Sequence, residues 1–229
     1  MKKITALSFM ILITGYSSLF SWFDKTHIAI GKLAGFREDY SLTAPDILKI
    51  KYLNEGPNHY YNCRENEEIT RQLVIKQTKD YNVLTNQGNL YGAIVASIRN
   101  AKAAKDSGKH IATYLSFTGH YIGDLSNPVH NMRFNDFNIA RHTDNDAVLD
   151  GNIQAEIKKI RINAFTIKNE EELIDKIIEI AAISKRLGYK LQRDYYQDNS
   201  KGIMTKEEAL NQIKLSADLF KSVLDYIGY

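Results

Sequence analysis

Apolar residues recur at intervals of three and four along most of this chain, the spacing that places them on one face of an α-helix. The pattern predicts helices from about Asp24, from Pro45, over 65–81, 88–107 and 109–125, from Asp146 to about Ile162, over 170–196 and from Thr205 onward. No stretch alternates apolar and polar residues for long enough to predict a sheet. The sequence therefore predicts an all-α fold.

Residues 1–21 have the pattern of a secretory signal peptide. Lys2 and Lys3 precede a mostly apolar run from Ile4 to Leu19, and small residues lie near its end. We expect cleavage between Ser21 and Trp22, a mature domain over 22–229, and a secreted or periplasmic location. Once the signal is removed, no stretch predicts a membrane span.

A chain of 229 residues is suited to one domain with a sizeable core. Its formal net charge of +3 falls to +1 without Lys2 and Lys3, so the expected mature protein has no basic surplus typical of polyanion binding. Cys63 is the only cysteine, which excludes an internal disulfide. Nothing in the sequence indicates a protein partner.

The candidate chemistry is concentrated in residues 119–146. His120 and Asp124 are four positions apart, as are His142 and Asp146, so each pair shares a helix face. His130 follows Pro128, which we expect to end the first of these helices. Imidazole nitrogen and carboxylate oxygen are ligands that zinc accepts, so the segment predicts a zinc site with more than one ion.

Other candidate ligands are weak when each is taken alone. His27 on an apolar helix suits a core histidine, Asp46 in a first helical turn suits a surface acid, and His59 in a loop suits a solvent-facing histidine. His110 lies about 80° around the helix from His120 and is expected at the surface.

Several common hydrolase and metal motifs are absent from the sequence. There is no H-E-x-x-H, no E-x-x-H pair, no adjacent His-Asp dyad and no G-x-S-x-G. These absences exclude the standard zinc-protease helix, the di-iron bundle and the α/β-hydrolase elbow.

The segment HYIGDLSNPVH, residues 120–130, resembles the His-x-x-x-Asp-x-x-x-Pro-x-His core of the zinc-dependent phospholipases C and the related single-strand-specific nucleases. The resemblance extends over most of the chain after residue 21 and is weaker in its C-terminal third. It implies a secreted all-α domain around three zinc ions, with the N-terminal tryptophan of the mature chain as a ligand.

Carried onto this sequence, the resemblance implies three ligand sets. One ion is bound by Asp46, His59, His120 and Asp124. The second is bound by His130, His142 and Asp146. The third is bound by the amino nitrogen and carbonyl oxygen of Trp22, with His27 and Asp124, so Asp124 bridges two ions.

The resemblance also implies phosphodiester hydrolysis by zinc-activated water, with Asp46 and Asp124 as the catalytic carboxylates. The twelve residues from His130 to His142 are similar to the phospholipases, whereas the step from Trp22 to His27 is similar to the nucleases. Arg64 stands where the nucleases have an aspartate. A phospholipid substrate is favoured, a single-stranded nucleic acid or nucleotide is the alternative, and a non-catalytic, zinc-stabilised module is the third possibility.

Overall fold

The computed structural model describes residues 22–229 and contains nine α-helices and no β-strand in that range. They are α1 (Asp24–Ala34), α2 (Ala44–Lys51), α3 (Arg71–Lys79), α4 (Leu90–Asp106), α5 (Ala112–Ser126), α6 (Asp136–Asp146), α7 (Ile153–Glu156), α8 (Glu170–Gln197) and α9 (Lys206–Ile227). Short 3₁₀ helices cover Asp39–Thr43, Gly56–His59, Pro128–Asn131 and Ile157–Lys159. The predicted all-α fold is confirmed; the expected signal peptide lies outside the described residues.

Helix α5 lies at the centre of the fold and contacts α1, α2, α4, α8 and α9. Residues 118–132, which include its second half and the turn that follows, are buried without interruption. The helix ends at Ser126 because the extended backbone of Asn127, the residue before Pro128, cannot continue it. The predicted stop is confirmed, and it directs the chain from α5 into the 3₁₀ helix that contains His130.

Two glycines allow neighbouring helices to approach α5 closely. A Cβ at Gly119 would lie 2.6 Å from Cζ of Phe220 in α9, and a Cβ at Gly123 would lie 2.5 Å from Nδ1 of His27 in α1. Both distances are shorter than the contacts that nonbonded carbon and nitrogen atoms make in proteins. The glycine at 123 therefore allows a side chain of α1 to contact the face of α5 that carries His120 and Asp124.

The prediction of a helix over 65–81 is correct only for its second half. Helix α3 begins at Arg71, where the hydroxyl of Thr70 accepts a hydrogen bond from the backbone of Leu73. The preceding residues form turns, since the Glu67 carboxylate accepts hydrogen bonds from Arg64 N and the Tyr61 hydroxyl. Local side-chain acceptors thus replace the first turns of the expected helix.

The prediction of a continuous helix from Asp146 to Ile162 is wrong. The chain turns through Gly151-Asn152, forms one α-helical turn at Ile153–Glu156, and is extended from Ile160. The apolar residues here are buried by contact with other helices. Turn hydrogen bonds, from Asp150 N to the Ala147 carbonyl and from Asn152 N to the Leu149 carbonyl, replace a continuous helical ladder here. Just beyond Ile162, the amides of Asn163 and Phe165 donate to the Asp218 and Ser222 side chains of α9.

Helices α8 and α9 begin where the sequence predicts. Asn169 caps α8, and Thr205 and Glu208 form a reciprocal capping box at the start of α9. Between residues 22 and 229, no helix is both long and apolar enough to cross a bilayer.

Replacing Thr205 with alanine is expected to lower the free energy of unfolding by about 1 kcal/mol, because the Glu208 amide loses its acceptor. Denaturant unfolding followed by circular dichroism measures the change. Thr205→Ser retains the hydroxyl and should unfold close to the parent midpoint; equal losses in both variants would contradict a capping role.

Candidate metal centre

Eight histidine and aspartate side chains from six separate segments converge beside the C-terminal half of α5. All eight are buried. They are His27 of α1, Asp46 of α2, His59 of the first loop after α2, His120 and Asp124 of α5, His130 of the turn after α5, and His142 and Asp146 of α6. The surface positions considered for Asp46 and His59 are therefore wrong, whereas His110 is exposed as expected.

Four donor atoms lie close together beside α5. They are Asp46 Oδ1, His59 Nδ1, His120 Nε2 and Asp124 Oδ2. The His59–His120 distance is 3.0 Å, His59–Asp124 is 3.1 Å, His120–Asp124 is 3.3 Å, and Asp46 lies 3.5 Å from each histidine nitrogen. Ligands at zinc distances of about 2.0–2.2 Å would be separated by roughly 3.3–3.6 Å in a tetrahedral site. Asp46, His59 and His120 are therefore spaced as ligands of one small cation would be.

The second group shares Asp124 with the first. His27 Nε2 lies 3.5 Å from Oδ1 of Asp124, whereas Oδ2 faces His59 and His120. His27 also stacks on His120, with ring centroids 4.0 Å apart. Donor atoms of His27, His120 and Asp124 all lie within 4.8 Å of one another. The two oxygens of Asp124 thus face two groups, as a bridging carboxylate requires.

Trp22 is fully buried directly before α1. It precedes His27 by five residues. The structure places His120 beside His27 and Asp124, and these three side chains form the second group. The role of the Trp22 amino nitrogen and carbonyl oxygen as ligands stays a prediction.

The third group consists of His130, His142 and Asp146. Their donor atoms lie within 4.8 Å of one another, and His142 Nε2 is 3.3 Å from Asp146 Oδ2. Within residues 22–229, His130 Nε2 and Asp146 Oδ2 are buried without a hydrogen-bond partner. Buried polar atoms are rarely left unsatisfied, so a cation among these three residues accounts for both.

Hydrogen bonds behind the histidines select which ring nitrogen faces the cluster. Nδ1 of His120 donates to the Leu42 carbonyl and Nδ1 of His130 donates to the His59 carbonyl, each at 2.6 Å. Nδ1 of His142 donates to Oδ1 of Asn138 at 2.7 Å. In the neutral ring, a proton on Nδ1 leaves the lone pair on Nε2, the form that binds a metal.

Burial and charge change the pKa values of the histidines in opposite directions. Burial, followed by the positive charge of His120, lowers the pKa of His27 to about 4. Burial alone would also lower the pKa of His120, but the carboxylates of Asp124 and Asp46 outweigh it and raise that pKa to about 10. In the absence of a metal, a proton on His120 therefore supplies positive charge to the cluster. A bound cation would displace that proton.

The aspartates are also unlike one another. Burial raises the pKa of Asp124, but the His120 and His130 charges outweigh it and hold the pKa well below its usual value. Burial raises the pKa of Asp146 well above its usual value, and the hydrogen bond from Asn127 offsets only part of the rise. The Asp146 carboxylate thus lacks the positive charge that a bound cation would supply.

Sequence reasoning missed the residues that support the ligands. Nζ of Lys49 lies 2.5 Å from Asp46 Oδ1, and Asn127 donates to Asp146 Oδ1 at 2.7 Å. Glu55 is buried with Oε1 3.5 Å from His59 Nε2. Lys49, Glu55 and Asn138 each lie three or four residues from a ligand, but that spacing is common in helical sequences and does not by itself indicate a role.

The cluster opens into a cleft of about 820 Å³. His59, His130 and His142 line its floor, and Lys49 lies beside them. Leu53, Leu84 and other apolar side chains form much of the remaining wall. The centre thus combines metal-binding side chains with room for a ligand.

No model of a known protein family matches this chain, and no curated protein matches it. The buried groups able to hold metal ions are therefore supported by geometry and donor chemistry. Imidazole nitrogen and carboxylate oxygen are ligands that zinc accepts.

Replacing Asp146 with asparagine is expected to separate folding from metal binding. The variant should fold in chelator with unchanged or higher stability, because a buried carboxyl is removed. The rise in melting temperature on adding zinc should shrink, since the third group loses its anionic ligand.

Differential scanning calorimetry with and without zinc measures both effects. Asp144→Asn, on the exposed side of the same helix, is the matched control and should retain the full zinc-dependent rise. An undiminished rise in Asp146→Asn would contradict the assignment of this ligand.

Proposed function

We propose that this protein is a secreted, zinc-dependent phosphodiesterase that hydrolyses phospholipid head groups in the manner of the phospholipases C. One observation carries the proposal: the side chains form three buried groups able to hold metal ions, two of them sharing His120, and His59, His130 and His142 of these groups line an open cleft. A structural metal site has no need of a ligand-sized opening, whereas a catalytic site does.

The proposed content is three zinc ions, with the ligand sets expected from the resemblance. Zinc at this position supplies an activated water and polarises a phosphoryl oxygen. The chain's own residues hold the opposing charges in place: Asp124 is fully buried between three histidines, and the histidines are oriented by the bonds to Leu42, His59 and Asn138.

Asp46 and Lys49 are proposed to act on the substrate side of the centre. Asp46 accepts a hydrogen bond from the attacking water and orients it. Lys49 forms an ion pair with Asp46 and lines the cleft, where its charge favours binding of a phosphate oxygen. His130 and His142 lie on the floor of the cleft, where the leaving oxygen would be released.

A phospholipid substrate is supported by the composition of the cleft. Its wall includes Ile50, Leu53, Pro57, Val129 and Leu84. Such a wall suits the glycerol and first acyl carbons of a lipid better than the repeated charges of a polynucleotide.

Single-stranded nucleic acid is the alternative substrate, and two side chains favour it. Tyr60 and Phe134 line the same cleft and present aromatic rings on which a base can stack. The short step from Trp22 to His27 also resembles the nucleases.

The test compares zinc-loaded protein beginning at Trp22 on phosphatidylcholine vesicles and on single-stranded DNA. We expect zinc-dependent release of phosphocholine. Losing a residue that supports a metal ligand typically reduces activity by roughly 10–100-fold. Asp124→Asn should reduce the rate of hydrolysis by more than this, because the Asp124 carboxylate faces two of the proposed zinc sites.

His110→Ala, an exposed histidine outside the cluster, is the control and should retain the parent rate. Release of nucleotides alone would replace the phospholipase proposal with the nuclease. Bound zinc without hydrolysis of either substrate would favour the non-catalytic module.

A further inference from the structure

Helix α2 has its apolar residues on the outside. Ile47 and Ile50 share one face and are 65% and 73% exposed, whereas Pro45 and Asp46 are buried. The usual pattern of a surface helix is the reverse. Ile50 is four residues after Asp46 and lies on the same side of α2, so it borders the cleft and faces solvent there instead of packing in the core.

Apolar side chains from three other segments are exposed near the same cleft. Leu53 follows α2, Val83 and Leu84 lie in the loop between α3 and α4, and Phe134 lies between His130 and α6. All are substantially exposed, and Ile50, Leu53, Leu84 and Phe134 line the cleft itself. These six residues, Ile47, Ile50, Leu53, Val83, Leu84 and Phe134, are named the apolar rim.

The charges interspersed with the rim are mainly positive. The segment 47–53 contains Lys49 and Lys51 and no acid, and the segment 82–87 contains no charged residue. Arg133 precedes Phe134, and Asp136 is the nearest acid along that loop. Lys51 extends over the ring of Tyr52, with Nζ 5.4 Å from the ring centroid.

We propose that the apolar rim docks onto a phospholipid surface and that its side chains enter the boundary between head groups and acyl chains. This inference rests on the proposed function and adds the partner surface from which the substrate is taken. Aromatic and long cationic side chains suit this boundary, because each presents an apolar body and a polar end. Lys51 and Arg133, both exposed, complement lipid phosphates, whereas Lys49 is paired with Asp46.

The continuity of the rim with the cleft favours a lipid surface over a protein partner. Four of its six residues line the opening above His59, His130 and His142. A protein packed on those side chains would cover the opening, whereas a bilayer presents the phosphodiester at the depth of the rim. Exposed apolar patches beside a binding site commonly mark interaction surfaces.

The test uses two rim residues outside the cleft lining, Ile47 and Val83. Zinc-loaded parent protein and the Ile47→Asp/Val83→Asp double variant are floated with vesicles of a phosphonate analogue of phosphatidylcholine. In this analogue a carbon–phosphorus bond replaces the glycerol oxygen–phosphorus bond that a phospholipase C cleaves. The same proteins are assayed on monomeric short-chain phosphatidylcholine and on long-chain vesicles. Ile75→Asp, at an exposed isoleucine of α3, is the matched control.

The parent and the Ile75 variant should float with the vesicles, and the double variant should bind at least tenfold more weakly. Its hydrolysis of long-chain vesicles should fall by a similar factor, while hydrolysis of the monomeric lipid is unchanged. Absence of vesicle binding by the parent, or equal loss in the Ile75 variant, would overturn the inference.

Two further outcomes separate this inference from the proposed function. Hydrolysis of monomeric lipid without any vesicle binding would overturn the docking surface alone. Rim-dependent vesicle binding without hydrolysis of either lipid would support the surface and contradict the phospholipase. If the rim substitutions instead convert a dimer into a monomer and vesicles are not bound, the rim is an interface between copies and the inference fails.

Discussion

The structure depends on a carboxylate that has no access to water. Asp124 is fully buried, and both its oxygens face imidazole rings. A carboxylate in this position is costly unless positive charge accompanies it. The arrangement of α5, α1 and the turns around them follows from the need to place histidines on both sides of Asp124. A metal cation satisfies that need more fully than a single proton on His120.

This requirement links folding to metal binding. The cluster joins α1, α2, α5, α6 and two turns that are far apart along the chain, so its side chains could hold a cation together only when these segments are packed. Gly123 allows His27 to come close, and Asn127 connects the end of α5 to Asp146. Helix α2 brings Asp46 to the cluster, and Ile47 and Ile50 of the same helix are exposed.

Much of the site could be predicted from the sequence because helical spacing is local. His120 with Asp124, and His142 with Asp146, share helix faces whatever the rest of the fold does. The convergence of His27, Asp46 and His59 on these pairs depended on the resemblance, because their sequence separation contains no information about distance. The support from Glu55 and Asn138 and the exposure of the apolar rim arise from tertiary packing, which residue patterns do not encode.

The helical pattern failed where turns with other hydrogen-bond acceptors replaced the helical ladder. The segment after Asp146 has helical spacing, yet it turns through residues 147–152, and the amides of Asn163 and Phe165 just beyond it donate to side chains of α9. Similarly, Glu67 holds a turn in place of the first half of the helix expected over 65–81. The spacing of apolar residues indicates which side of a segment is buried. It does not indicate which hydrogen-bond acceptors the backbone of that segment will meet in the folded chain.

Anomalous diffraction from crystals of the zinc-loaded protein, collected on both sides of the zinc absorption edge, tests the metal centre most directly. We expect three zinc-specific peaks, one among Asp46, His59, His120 and Asp124, one beside His27 and Asp124, and one among His130, His142 and Asp146. Ordered side chains at these positions without zinc peaks would contradict it.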